Sequence, residues 1–174
     1  MKKYIIAGLI GLVILAGVIF MTSTAGPDEI SLETGDDTVA AQQFSIPDLE
    51  GNTISLEQNI AEGKPTVIYF MASWCPTCAK NWAALNEVYP EYEDKISFVS
   101  VSVDPTDTPD VLISLAEKKN FLFPTSPGNV NLAREYKIYS QTTKVAIDST
   151  GNIVFRHDGI LSADEWRELF DKLI

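Results

Sequence analysis

Apolar residues recur along this chain in three different rhythms, and each rhythm predicts a different kind of element. Residues 4–21, YIIAGLIGLVILAGVIFM, are apolar without interruption and follow Lys2 and Lys3. At about 1.5 Å rise per residue the run nearly crosses a hydrocarbon core of roughly 30 Å, and it exceeds the 7 to 15 or so residues of a secretory signal core. An uncleaved membrane anchor over residues 1–21 is therefore expected, with the lysines on the cytoplasmic side. Ser23 and Ala25 keep a cleaved signal segment open as the alternative, since they are small residues spaced for a cut before Gly26. Residues 22–42 are small, acidic and turn-forming, with no sustained apolar period, and read as a flexible tether.

The folded domain is expected over residues 43–174. FSIPDLEGNTISL places two short extended stretches around a Leu-Glu-Gly-Asn turn, the pattern of a hairpin. TVIYFMA, residues 66–72, is a continuous β-branched and aromatic run, as a centrally buried strand needs, and a helix should follow from about Cys75. KISFVSVSVD, residues 95–104, predicts another buried strand. TPDVLISLAEKKN, residues 108–120, predicts an amphipathic helix with Pro109 near its start and lysines near its end. VNLAREY suggests a short helix, TKVAIDSTGNIVFRH a hairpin turning at residues 149–152, and SADEWRELFDKLI a last helix. In that helix Trp166, Leu169, Phe170 and Leu173 recur at helical spacing, and Ser162 with Glu165 forms a capping-box pattern. Strands alternating with helices, then a hairpin and a terminal helix, predict an α/β domain with a mixed sheet flanked by helices.

Charge narrows the partners. There are 24 acidic and 13 basic residues, a formal net charge of −11, and every acidic residue lies beyond Pro27. An acidic domain of this kind is not built to bind nucleic acid.

The chemistry centres on the chain's 2 cysteines, Cys75 and Cys78, separated by Pro76 and Thr77. A structural zinc site needs about four ligands, whereas here a single pair is joined by a single histidine, His157. Two inert buried thiols are a second possibility. The third is a redox couple. With a helix starting near Cys75, its sulfur lies where unpaired N–H groups and the helix dipole favour a thiolate, and Cys78 lies one turn on. Cysteines of such motifs have pKa values lowered to roughly 3.5–7.5, so Cys75 would attack a disulfide and Cys78 would resolve the mixed disulfide. Pro76 costs nothing in the first helical turn. Trp74 either shields the nucleophile or fills the core.

The stretch Trp74-Cys75-Pro76-Thr77-Cys78, after a buried strand and opening a helix, resembles the active site of thioredoxin-fold oxidoreductases. Residues 43–174 are similar to the membrane-anchored TlpA, ResA and CcmG group: FSIPDLEGNTISL to its N-terminal hairpin, residues 101–124 to its central strand-helix insert, and residues 138–166 to its final hairpin and helix. The CPTC motif and GNIVFRHDG resemble the CcmG branch in particular. The resemblance implies an extracytoplasmic thiol-disulfide oxidoreductase that receives electrons from a membrane donor of the CcdA or DsbD type. It would reduce exported clients such as apocytochrome c or a copper-site protein, with the Cys75–Cys78 disulfide as its redox group and no other cofactor.

Several positions depart from that pattern. Where the group keeps a cis-proline beside the cysteines, alignment on Ile147, Asp148 and Gly151 places Thr142, with Gln141 before it. A cis bond there would cost about 2.5–4 kcal/mol, so a trans bond or a strained exception is expected. Asn81 replaces the acidic residue three positions after the second cysteine and cannot exchange a proton. Tyr69 stands at the buried aspartate site of thioredoxin and either hydrogen-bonds near Cys78 or serves as strand core. Ala83 replaces a proline that kinks the helix in relatives. Two other functions use the same residues. A peroxiredoxin would need proline and Thr or Ser where Ile68 and Ala72 stand, and a copper chaperone would hold Cu(I) on both thiolates, with His157 as a further ligand.

Overall fold

The structure, a computed structural model, describes residues 30–35 and 38–174. The apolar segment at residues 4–21 lies outside them. Among the described residues no helix is long and apolar enough to cross a membrane.

Two short sheet elements begin the domain: β1 (Val39–Ala40), then the hairpin of β2 (Ser45–Pro47) and β3 (Thr53–Ser55), paired antiparallel with Ile46 opposite Ile54. The helix α1 (Leu56–Ala61) follows, capped by the Ser55 hydroxyl, which accepts from the Gln58 N–H. At six residues it is too short to display a helical period, and the sequence does not announce it. The strand β4 (Thr66–Met71) is buried at every position. After it come α2 (Pro76–Val88), a 3-10 turn at residues 89–91, β5 (Ser97–Ser102), α3 (Pro109–Lys119), β6 (Thr125–Ser126) and α4 (Val130–Glu135). The chain closes with β7 (Thr143–Ile147), β8 (Asn152–Asp158) and α5 (Ala163–Leu173).

The main sheet runs β1-β8-β7-β4-β5-β6. β4 pairs parallel with β5 and antiparallel with β7, so the sheet is mixed, and its central strand is the one with the unbroken apolar run. Because neither edge of β4 nor either of its faces meets water, alternation is absent there. The β7–β8 turn needs Gly151, whose φ is +92°; a Cβ there would also lie 2.7 Å from the Ile60 side chain. α5 starts with the expected capping box, Ser162 and Glu165 each accepting from the other's backbone N–H.

Part of the stretch read as a tether, residues 22–42, is docked on the domain. Ile30 is buried in the core, the Glu33 N–H donates to the Val154 carbonyl at 2.7 Å, and Val39 and Ala40 extend the sheet beside β8. Docking from Ile30 onward uses Ile30 and Leu32, a few hydrogen bonds and a two-residue strand, too little to make a sustained period.

Candidate active site

β4 delivers the site. Its last residues lead into a tight turn in which the Cys75 N–H donates to the Ala72 carbonyl at 3.1 Å, and α2 begins at once with Pro76. Cys75 is the N-cap of α2: its backbone is extended (φ −78°, ψ 114°) and its sulfur accepts the Cys78 N–H at 3.1 Å. A thiolate at that position takes up one of the orphan donors of the first turn. The two cysteines form a disulfide with Cα atoms 5.2 Å apart. Cys75 keeps a small exposed area, 4%, while Cys78 has none, so Cys75 is the sulfur that a partner can approach. Pro76 is exposed and Thr77 half-buried. α2 runs unbroken past the exposed Ala83.

Two loops brace this turn. Trp74 is 60% exposed, which rules out the core role, and its indole N–H donates to Asp104 Oδ2 at 2.6 Å. That bond, with those from Thr106, holds the Asp104 carboxyl below the usual carboxylate range. Asp107 is buried and accepts three hydrogen bonds: from the Ser73 N–H at 2.8 Å, from the Ser73 hydroxyl and from the Ser102 hydroxyl at 2.6 Å. Asp107 fastens the cysteine turn to the end of β5, a role its place in the acidic turn VDPTDTPD does not reveal.

On the other side, Thr142 precedes β7 and donates its N–H to the Phe70 carbonyl near the end of β4, at 2.8 Å. No described peptide bond is cis, so the bond before Thr142 is trans as expected, and the residue adopts a φ of +85°, which the sequence reading did not anticipate. A β-branched residue in the left-handed region is strained by about 1–3 kcal/mol. The Thr142 hydroxyl, donating to Asp158 Oδ1 at 2.6 Å, helps hold it there. Gln141, before it, is half-buried.

Behind Cys78 the structure gathers residues that sequence reading places separately. Asn81 is fully buried; its carboxamide donates to the Gly159 carbonyl at 3.1 Å and accepts the Leu161 N–H at 3.0 Å, tying α2 to the β8–α5 connection. Tyr69 is a core residue whose hydroxyl has no well-formed hydrogen bond among the described residues. Burial pushes that phenol far above its ordinary pKa, and the nearby Asn81 carboxamide offsets this only in part. Lys144, which sequence reading missed, is fully buried on β7 opposite Tyr69. Its Nζ donates to the same Gly159 carbonyl and lies over the Tyr69 ring at 5.3 Å and the Trp166 ring at 5.7 Å. Desolvation lowers its pKa from 10.5 to about 7, against the opposing pull of Asp158 and Glu165. The available signal was a single charge inside the otherwise uncharged strand TKVAI. His157, its cross-strand neighbour, stacks on Phe155, and burial followed by the Lys144 charge lowers its pKa. No group of three or more His, Cys, Asp or Glu side chains placed to hold a metal ion occurs among the described residues.

The AhpC/TSA family profile matches residues 38–163.

The chain belongs to the AhpC/TSA family.

Its relatives in this family include the thiol:disulfide interchange protein DsbE of Vibrio cholerae serotype O1, 27% identical over 188 residues that cover 99% of this chain and 96% of that protein. The thiol-disulfide oxidoreductase ResA of Bacillus cereus is 26% identical over 176 residues, 99% of this chain and 98% of its own length. Among solved structures, that of MTB DsbF in its mixed oxidized and reduced forms aligns with a TM-score of 0.66 at 25% identity, covering 76% of this chain and 96% of that one. This AhpC/TSA member is a thioredoxin-like thiol-disulfide oxidoreductase of the TlpA, ResA and CcmG group. Where a peroxidase would carry proline and a hydroxyl residue, it has the buried aliphatics Ile68 and Ala72.

Proposed function

We propose that this enzyme reduces disulfides of exported client proteins, with Cys75 as the attacking sulfur and Cys78 as the resolving one. The observation that carries the reading is the asymmetry of the pair. Cys75 caps α2 and touches solvent, whereas Cys78 is sealed one turn inside. A thiolate at a helix N-terminus is favoured by the dipole and by unpaired N–H groups, and a buried second thiol is protected from outside partners until a mixed disulfide brings its target within reach. Trp74, Pro76 and Thr77 shape the rim of the site, and Gln141 with Thr142 offers backbone for client docking. The dithiol is the only redox group the reading requires.

Clients in this reading carry cysteine pairs awaiting haem or copper, as in apocytochrome c or a copper-site protein. Electrons come from a membrane donor of the CcdA or DsbD type. The apolar segment at residues 4–21 serves as a single-pass anchor that holds the domain on the extracytoplasmic side. Similarity to DsbE and ResA over nearly the full chain supports this placement.

The test is a trapping experiment together with a redox titration of the full chain. Cys78→Ser should accumulate a mixed disulfide with a cysteine-pair client, and Cys75→Ser should abolish it. Equilibration with glutathione should give a potential near or below about −270 mV, whereas a value near −120 mV would recast the enzyme as a disulfide-forming oxidant. Tight Cu(I) binding without a reversible disulfide would replace both readings with a copper chaperone.

A further inference from the structure

Closing the catalytic cycle requires a thiolate at Cys78, and the surroundings of Cys78 oppose one. The residue is fully buried in an apolar cluster with Tyr69, Trp82 and Trp166, where desolvation disfavours an anion. One turn on, Asn81 cannot take a proton. The Tyr69 phenol is held neutral by burial. The other titratable groups that face this region are already engaged. Asp158 on β8 accepts from Thr142, Glu165 on α5 is locked in the capping box, and His157 on β8 stacks on Phe155. Asp107 is taken up by Ser73 and Ser102.

Lys144 is different. It is the one buried cation among the described residues. Its ammonium and the Asn81 carboxamide donate to one and the same carbonyl oxygen, that of Gly159, so the charge is held beside Asn81, one turn after Cys78 in α2. The Tyr69 and Trp166 rings, members of the cluster that encloses Cys78, lie 5.3 and 5.7 Å from it, and the Asp158 and Glu165 charges act on it as well. A side chain this costly to bury is a candidate for chemistry, because an apolar residue of the same length would pack there without penalty.

We propose that Lys144 is the positioning residue of the resolving thiol: its cation, held beneath α2 by the Gly159 carbonyl, favours the Cys78 thiolate that completes the exchange. The inference rests on the disulfide-reducing reading above and deepens it. In the closing half-reaction the Cys78 thiol gives its proton to solvent and its sulfur forms a bond to Cys75 Sγ. The bond between Cys75 and the client sulfur breaks, and the client sulfur leaves as a thiolate that takes a proton from solvent. Two electrons have then passed from the enzyme dithiol to the client disulfide. Lys144 forms and breaks no bond; it lowers the cost of the anion in the middle of that sequence. In the disulfide form the anion is gone and the lysine gives up its proton more readily, which links its protonation to the redox state.

The test titrates Cys78 by thiolate absorbance in the full chain carrying Cys75→Ser, with and without Lys144→Met. Methionine keeps the buried length and removes the charge. The expected result is a Cys78 midpoint at least one pH unit higher with Lys144→Met; an unmoved midpoint overturns the inference. Should Lys144→Met fail to fold, the lysine itself supplies the answer. Coupling is reciprocal, so the NMR titration midpoint of the Lys144 ε-carbon must be higher in Cys75→Ser than in a chain carrying both Cys75→Ser and Cys78→Ser. Equal midpoints overturn the inference. Exchange of the unaltered chain with oxidised glutathione is measured alongside. Its absence overturns the reading of the cysteines together with this inference, while exchange with an unmoved Cys78 midpoint overturns this inference alone.

Discussion

The two faces of the central sheet use the same strands and have opposite chemistry. Ile68, Phe70, Val99, Val101, Val145 and Ile147 face the side closed by α1 and α4, together with Leu56, Leu132 and Tyr136. The buried phenol on that side is satisfied, since Tyr136 donates to the Gln42 carbonyl at 2.6 Å. The opposite face, formed by Val67, Tyr69, Met71, Phe98 and Ala146, is closed by α2 and α5 and holds Cys78. There Lys144 is buried, and the three buried side-chain atoms without a hydrogen-bond partner among the described residues, Tyr69 Oη, Trp82 Nε1 and Trp166 Nε1, all belong to this side. Each such atom costs about 1–3 kcal/mol. One face supplies stability with little chemistry, and the other gives up stability to bury a lysine and unpartnered polar atoms in the cluster that holds a reactive sulfur.

Breaking the apolar face should have the largest effect. Phe70→Ala is expected to lower the unfolding free energy by about 3–5 kcal/mol in a urea titration, with no change in how stability depends on pH. The reactive face should answer differently. Because the folded pKa of Lys144 is depressed from 10.5 to about 7, the unfolded chain holds a proton across that interval that the folded chain has released. Stability must then rise as pH increases from about 7 toward 10 and be lost as pH falls through about 7. Lys144→Met should flatten that slope and raise stability at pH 6 by a few kcal/mol, since one pKa unit is worth about 1.4 kcal/mol. Denaturation at pH 6, 7.5 and 9 checks it, and an equal slope in both proteins would dissolve the contrast between the faces.

Two smaller changes sharpen the comparison. Asp107→Ala leaves the Ser73 and Ser102 donors without their acceptor and should cost about 1–3 kcal/mol, with faster hydrogen exchange at the Ser73 amide ahead of global unfolding. Ser162→Ala removes the cap of α5 and should cost about 1 kcal/mol on both thermal and urea scales. The cap lies on the reactive face yet takes no part in its chemistry, so the pH slope should survive.

Much of this was legible in the residue order because it depends on near neighbours. The unbroken apolar run at β4, the helix opening at Cys75 and the Ser162–Glu165 box each arise within about one turn or one strand, and each is found where the pattern places it. What escaped is short or distant. α1 has six residues, β1 and β6 two each, and none is long enough to show a period. Trp74 could be read as core or as surface, and its exposure is decided by Asp104, 30 positions away. Asn81 looked like a lost proton carrier; its buried carboxamide instead joins α2 to residues 78 and 80 positions further along the chain.

The sequence by itself determined the kind of chemistry, because a cysteine pair at helical spacing behind a strand, with a proline between the two, needs only local geometry to become an asymmetric redox couple. Tertiary structure decided what surrounds that couple. Whether Lys144 faces water or the core, and whether Thr142 must adopt a positive φ, depends on strands and helices that meet only after folding. Burial and the electric field at a sulfur are sums over everything nearby in space, and chain order records only what is nearby in sequence.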